Sequence, residues 1–140
     1  MLFRSKKGPF FGQNTGVPAD ICEPMQKRLT QLQQELANGT RPTNVKAGDP
    51  GSHSEINALN QALLNRASIE KREPTDSDIY DMIGHNVNLK TNNVKNADGT
   101  KTTFPAGEGN PYRCDYCNPL THGMRMVDQN GHLTDEDRLP

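Results

Sequence analysis

The sequence predicts an α/β fold in which two amphipathic helices carry most of a small core and a few short strands supply the rest. Apolar residues recur at three- and four-residue steps over 23–38 and again over 52–67. Short alternating runs punctuated by Asn, Asp and Gly follow in the second half. Nothing repeats at a fixed period over the 140 residues, so one folded domain is expected.

Residues 1–20, with Gly8, Pro9, Gly12, Gly16 and Pro18, read as an N-terminal lead or linker, and 21–140 as the domain itself. The first helix opens at Glu23-Pro24, shows Met25, Leu29, Leu32 and Leu36 on one face, and closes at Asn38-Gly39. Residues 40–51, with two prolines, form a polar connector. The second helix opens at Ser52 and carries Ile56, Leu59, Leu63 and Ala67 in one stripe.

After Pro74, Thr75 or Asp76 caps a short helical turn that ends at Gly84. The stretch 85–91 alternates Val87 and Leu89 with polar neighbours as a half-solvated strand does. A turn is expected at 96–100, and 101–106 is a second short strand confined to an edge by Pro105. A short helix follows Cys114 and Cys117 and stops at Gly123, 123–127 is a strand, and the acidic tail 133–140 is frayed.

Leu, Ile, Val and Phe make up 25 of 140 residues, a thin core. The net charge of -1 argues against disorder, which needs self-repulsion as well as low hydrophobicity. A compact fold with so little core calls for a staple, and a bound metal is one. Three cysteines, an odd and sparse number, point to reduced thiols or metal ligands rather than a disulfide framework.

No run approaches the roughly 18 apolar residues of a membrane span, and the start MLFRSKKGPFFG lacks the apolar stretch of a signal peptide. A soluble chain is expected, with no membrane partner; any export would depend on a longer parent or a dedicated machine. Residues 1–46 carry seven Lys/Arg against three Asp/Glu, and 47–140 carry nine against fourteen. A polyanion would therefore favour the N-terminal part, and the low total basicity argues against tight non-specific binding of nucleic acid.

The reactive side chains fall into two clusters, "HSE" at 53–55 and "CDYC" at 114–117. Imidazole and thiolate are good ligands for Zn2+, and three protein ligands leave a fourth position for water. His53, Cys114 and Cys117 are the expected ligands. Zinc brings its bound water to a pKa of about 7, and Glu55, beside that water but outside the metal sites, is the expected proton carrier. Helix N-termini at both clusters would favour the thiolates.

Plainer readings exist for each piece. Ser52 and Glu55 fit a capping box, in which Glu55 only returns to the Ser52 amide. A lone C-x-x-C is equally a structural zinc half-site or a redox pair. The ordered pair H-x-E and C-x-x-C, each opening a helix, is however the signature of zinc nucleobase deaminases. Tyr112 and Tyr116 flank the sulfurs and are candidates to stack on a base. Asn57 and Asn60 are either substrate donors or surface amides, Cys22 packs in the first helix, and His122 is expected outside the ligand set.

The stretches "PGSHSEINALNQAL" and "YRCDYCNPLTHGM" resemble the YwqJ-like deaminases of bacterial polymorphic toxins, over residues 49–67 and 111–127. The resemblance implies a cytidine deaminase-like three-layer fold, a small mixed sheet flanked by helices, whose first hairpin is reduced or begins inside residues 1–20. It implies a zinc-dependent deaminase that converts cytosine to uracil in single-stranded DNA or RNA, with DNA slightly ahead. His53, Cys114 and Cys117 would then be metal ligands and Glu55 the proton shuttle. It further implies an effector delivered into a target-cell cytoplasm and silenced in its producer by a cognate immunity protein. Free nucleosides or adenine are the alternative substrates, and a non-catalytic zinc-stapled module the alternative class. In one departure Arg113 precedes Cys114 where the wider superfamily favours proline, the nearest proline being Pro111.

Overall fold

A computed structural model describes residues 2–5 and 8–134, with the backbone alone at 2–5, 8 and 9. Two strands open the chain, β1 (Leu2–Ser5) and β2 (Gly8–Phe11). Helices α1 (Glu23–Asn38) and α2 (Ser54–Glu70) follow, and then β3 (Ile83–His85). A hairpin of β4 (Asn92–Lys95) and β5 (Lys101–Phe104) precedes the short helix α3 (Cys117–Leu120) and β6 (Arg125–Met126). Single 3-10 turns occupy Val45–Ala47 and Asp76–Asp81.

The main sheet has the order β2-β1-β3-β6, and β4 pairs with β5 in a separate ribbon. β1 is antiparallel to β2 and β3, with Leu2 opposite Phe11 on one side and opposite His85 on the other. β3 and β6 are parallel, and the chain between them carries the β4–β5 ribbon and α3. Residues 1–20, expected as an irregular lead, thus supply half of the main sheet, which does begin inside that stretch. Pro9, which argues for a loop, is tolerated because β2 is the sheet's edge, where a missing amide donor breaks no ladder.

Helix α1 matches its expected limits and ends at Gly39, whose φ of 78° is the left-handed conformation that a side chain resists. Met25, Leu29 and Leu32 are buried along one face. α2 is buried on more than a stripe: Ile56, Ala58, Leu59, Asn60, Ala62 and Leu63 are all inside, because it lies against β1, β2 and α3. Each fully buried leucine or isoleucine contributes about 1.5–3 kcal/mol. Met82, Met124 and Met126 complete the core around β3 and β6. Gly84 in β3 lets the Met126 side chain lie against the strand, and a Cβ there would require the methionine ends to move.

The turn after Pro74 is capped as expected: Thr75 N–H donates to Asp78 Oδ2 at 2.8 Å. Arg72 grips the same carboxylate through Nη1 and Nη2 at 2.8 and 2.6 Å, tying the end of α2 to this turn. The strand expected at 85–91 is displaced. Only Ile83–His85 pairs in the sheet, and Val87 makes an isolated bridge to Gly109. The turn at 96–100 and the strand after it are as expected, Phe104 ending β5 beside Pro105. Leu133 bridges Val127, and residues 135–140 of the acidic tail lie outside the described residues. No helix among the described residues is long and apolar enough to cross a membrane.

Candidate active site

The site forms where the start of α2 meets the turn into α3. α2 begins one turn position later than its sequence suggests: His53 is the N-cap, and its side chain makes no capping bond. The capping comes from elsewhere, because Ser54 N–H donates to Asn14 Oδ1 at 2.6 Å. A remote asparagine thus satisfies an orphan amide and leaves the imidazole free. The capping box is not formed. Ser52 gives both its amide and its hydroxyl to the Asp49 carbonyl, at 3.2 and 2.7 Å, and Glu55 accepts from the Ser54 hydroxyl at 3.3 Å.

Residues 12–20 form a strap over this end of α2. Asn57 Nδ2 donates to the carbonyls of Gln13 and Gly16, both at 3.1 Å. The buried Asn60 accepts from Cys22 N–H at 2.8 Å and donates to Asp20 O at 3.3 Å. Both asparagines therefore hold the strap rather than standing on an open surface. Gly12 lies so close to α2 that a Cβ would meet the Ser54 carbonyl.

Cys114 precedes α3 and Cys117 is its first residue. The Cys117 amide donates to Cys114 Sγ at 3.3 Å, and Asn118 N–H to Cys114 O at 3.0 Å, which folds the two sulfurs to one side. Arg113, only 2% exposed, clamps the turn from below. Its Nη1 donates to Thr121 O and Oγ1 at 3.1 and 2.8 Å, and its Nη2 to Met124 O at 2.9 Å. A proline could not make these bonds, so the departure at 113 has a structural use.

His53 Nδ1 lies 3.2 Å from Cys117 Sγ and 3.4 Å from Cys114 Sγ. The three donor atoms are within 4.8 Å of one another and form a group able to hold a metal ion. Cys117 is buried, whereas His53 and Cys114 are half-buried, so one side of the group faces outward. Among the described residues no other His, Cys, Asp or Glu joins it. His122, as its sequence position suggests, lies elsewhere, its ring edge-on to Tyr80 at 6.3 Å.

Donation from the Cys117 thiol pulls Cys114 down to about 6, aided by the Cys117 and Tyr116 amides and by His53. Cys117 is pushed up by the same hydrogen bond, by burial and by the negative charge of Glu55. Glu55, two residues after His53 in the first turn of α2, is buried at 8% exposed and is not one of the adjacent donors.

The two tyrosines part company. Tyr116 is 4% exposed, and its hydroxyl accepts the Asn44 amide at 2.8 Å. Its ring is packed into the core, so the expected stacking on a base is not available to it here. Tyr112 is half-buried, its ring edge-on to Phe104 at 5.3 Å. Asn44, which the sequence does not single out, also donates to Asp115 Oδ2 at 2.8 Å and so ties the connector to the middle of the C-x-x-C turn. Gly48, φ 67°, ends that connector turn against the far side of the imidazole. No sequence signal marks Asn44 or Asn14, since each works through a partner more than 35 residues away.

Comparison with known proteins agrees with this geometry. The family described as YwqJ-like deaminase matches residues 22–125. The chain is 30% identical over 121 residues to "Toxin YwqJ" of Bacillus subtilis (strain 168), a match that covers 84% of the chain but 17% of that protein. The chain thus spans under a fifth of the length of its curated relative. No solved structure matches it. With the family's model running from before α1 into β6, and so through the turns that carry His53, Cys114 and Cys117, the chain belongs to the YwqJ-like deaminase family.

Proposed function

We propose that this chain is a zinc-dependent deaminase that converts cytosine to uracil in single-stranded nucleic acid, acting as the toxic domain of a delivered effector. The observation that carries it is the triangle of His53 Nδ1 and two cysteine sulfurs, with the buried Glu55 two residues after the histidine on the same helix start. In a tetrahedral zinc site, with Zn–S about 2.3 Å and Zn–N about 2.0 Å, neighbouring N and S atoms stand about 3.5 Å apart. The N–S edges of 3.2 and 3.4 Å fit that ion. Half-exposure of two donors fits a site with one open position. The structural-staple reading of Glu55 is weakened by the absence of the capping box.

Zinc bound by His53, Cys114 and Cys117 would supply a water acidified to about pKa 7 and a Lewis acid beside the scissile carbon. With zinc held there, Glu55 would accept a proton from the attacking water and pass it to the ring nitrogen, then carry the hydroxyl proton of the C4 adduct to the amino group, so that the C4–N bond breaks and ammonia leaves. A paired base inside a duplex is out of reach, so an unpaired or extruded nucleotide is the substrate. Tyr112, half-buried two residues before Cys114, would line the path of the base. The relative is named a toxin; a producer of such an enzyme needs a cognate immunity protein, and the action belongs in the target-cell cytoplasm.

Glu55→Ala tests the reading. Bound zinc, measured by metal analysis, should remain, while uracil formation in an oligonucleotide, followed by mass, should drop by about 10²- to 10⁴-fold. A fully active variant would sink the mechanism. Turnover of cytidine or adenosine with no turnover of oligonucleotides would move the substrate to free nucleosides.

A further inference from the structure

Residues 86–110 leave the main sheet after β3 and return just before the cysteine turn, and β4 and β5 form their outer half. The base of this arm is a short irregular ladder: Asn110 N–H donates to Asn86 O at 2.7 Å, and Gly107 N–H to Asn88 O at 2.8 Å. Phe104, 1% exposed, locks it onto Tyr112, two residues from Cys114. The arm is thus fixed to the candidate active site by its root.

The ribbon has two unlike faces. Val94 and Thr102, partners on one rung, are half-buried and Phe104 is buried, so this face turns toward the protein although Asn92 at its end is exposed. Asn93, Lys95, Lys101 and Thr103 are exposed on the other face. Lys95 and Lys101 are direct cross-strand partners in the antiparallel register. Side chains so placed start about 5 Å apart, and like charges there destabilise a ribbon. Asn93 and Thr103 form the next rung, joined by a 2.6 Å hydrogen bond, and Lys90 is exposed just before β4.

Nothing among the described residues relieves the lysine pair. None of Lys90, Lys95 and Lys101 has an ion pair there. The turn carboxylate, Asp98, is engaged by Thr100 N–H and Oγ1 at 2.9 and 2.6 Å. Three lysines thus gather on one arm of a region that is acidic as a whole, nine Lys/Arg against fourteen Asp/Glu over 47–140. Two lysines on one rung, with no carboxylate paired to either among the described residues, can both reach a single anion.

We propose that the outward face of β4–β5, with Lys90, Lys95 and Lys101, binds the sugar–phosphate backbone of the single strand whose base enters the active site. This rests on the nucleic-acid reading above and adds to it the surface that grips the strand. It also answers the low overall basicity, since a few lysines held on a rigid arm suffice for a short single-stranded contact.

The experiment compares the full chain with Lys90→Gln/Lys95→Gln/Lys101→Gln, measuring anisotropy of a fluorescent single-stranded oligonucleotide over a salt series. Each lost phosphate contact removes about 0.7 from the slope of log K against log salt. The triple variant should therefore flatten the slope by about 2, and the triple arginine variant should restore it. Its melting temperature should not fall, because the change relieves a like-charge pair. An unchanged slope overturns the proposal, even if an acidic protein such as an immunity partner still docks on the arm. Weaker binding together with a lower melting temperature overturns it too, since the fold of the arm would then carry the effect. If the unaltered chain deaminates oligonucleotides while the slope stays unchanged, only the arm proposal fails; if it deaminates none, the substrate reading fails first.

Discussion

The imidazole and the two sulfurs reach the same point from unlike supports. His53 caps a helix of 17 residues whose own backbone ladder and buried face fix its direction. Cys117 starts a helix of four residues, too short to hold itself. The short helix is therefore tethered by side chains from several directions. Arg113 binds Thr121 and Met124 from below, Tyr116 reaches Asn44, and Arg28 of α1 donates to His122 O at 2.6 Å. The contrast teaches that a side chain at the start of a long helix is placed by packing, while side chains on a short turn depend on a few replaceable polar contacts.

The largest effect is expected from Cys117→Ser, which removes a thiolate from a binding term on the order of 10 kcal/mol for zinc held by thiolate and imidazole. Competition with a chromophoric chelator should show stoichiometric metal lost. Arg113→Met comes next. It leaves the buried Thr121 and Met124 carbonyls without their donor and should cost about 3 kcal/mol in denaturant unfolding, with weaker metal binding as well. Tyr116→Phe removes the acceptor of the Asn44 amide and should cost about 1 kcal/mol. Asn14→Ala removes the remote cap of α2 and should cost about 1 kcal/mol or less, with metal affinity nearly unchanged. A loss of metal affinity from Asn14→Ala equal to that from Arg113→Met would break the contrast between the two supports.

The parts legible in the sequence are those whose signal is local. The limits of α1 follow from Pro24 at its start and Gly39 at its end, and the turn at 96–100 from its Asp-Gly. The start of α2 is legible to within two residues, and the error is itself informative: Ser52 has the chemistry of a cap, but the loop before it takes its hydrogen bonds. β1 and β2 are not legible, because β1 finds its second partner in β3, some 80 residues away, and Gly8-Pro9 reads as a break unless the strand is known to be an edge.

Tyr112 and Tyr116 make the same point at the site itself. They are equivalent in sequence, each two positions from a cysteine or nearer, yet one is half-exposed at the surface and the other is buried with its hydroxyl engaged. Alternation of residue type does not reveal which way a turn will face.

The sequence by itself determined the chemistry: one imidazole, two thiols and one carboxylate at spacings that two helix starts can present. Only the tertiary structure decided that His53 is released from capping by Asn14, that Arg113 and Asn44 hold the cysteine turn, and that two lysines share a rung on the arm beside it. The physical reason is range. Side-chain chemistry and helix signals act over a few residues, whereas caps, clamps and cross-strand pairs join groups whose meeting depends on how the whole chain closes its small core.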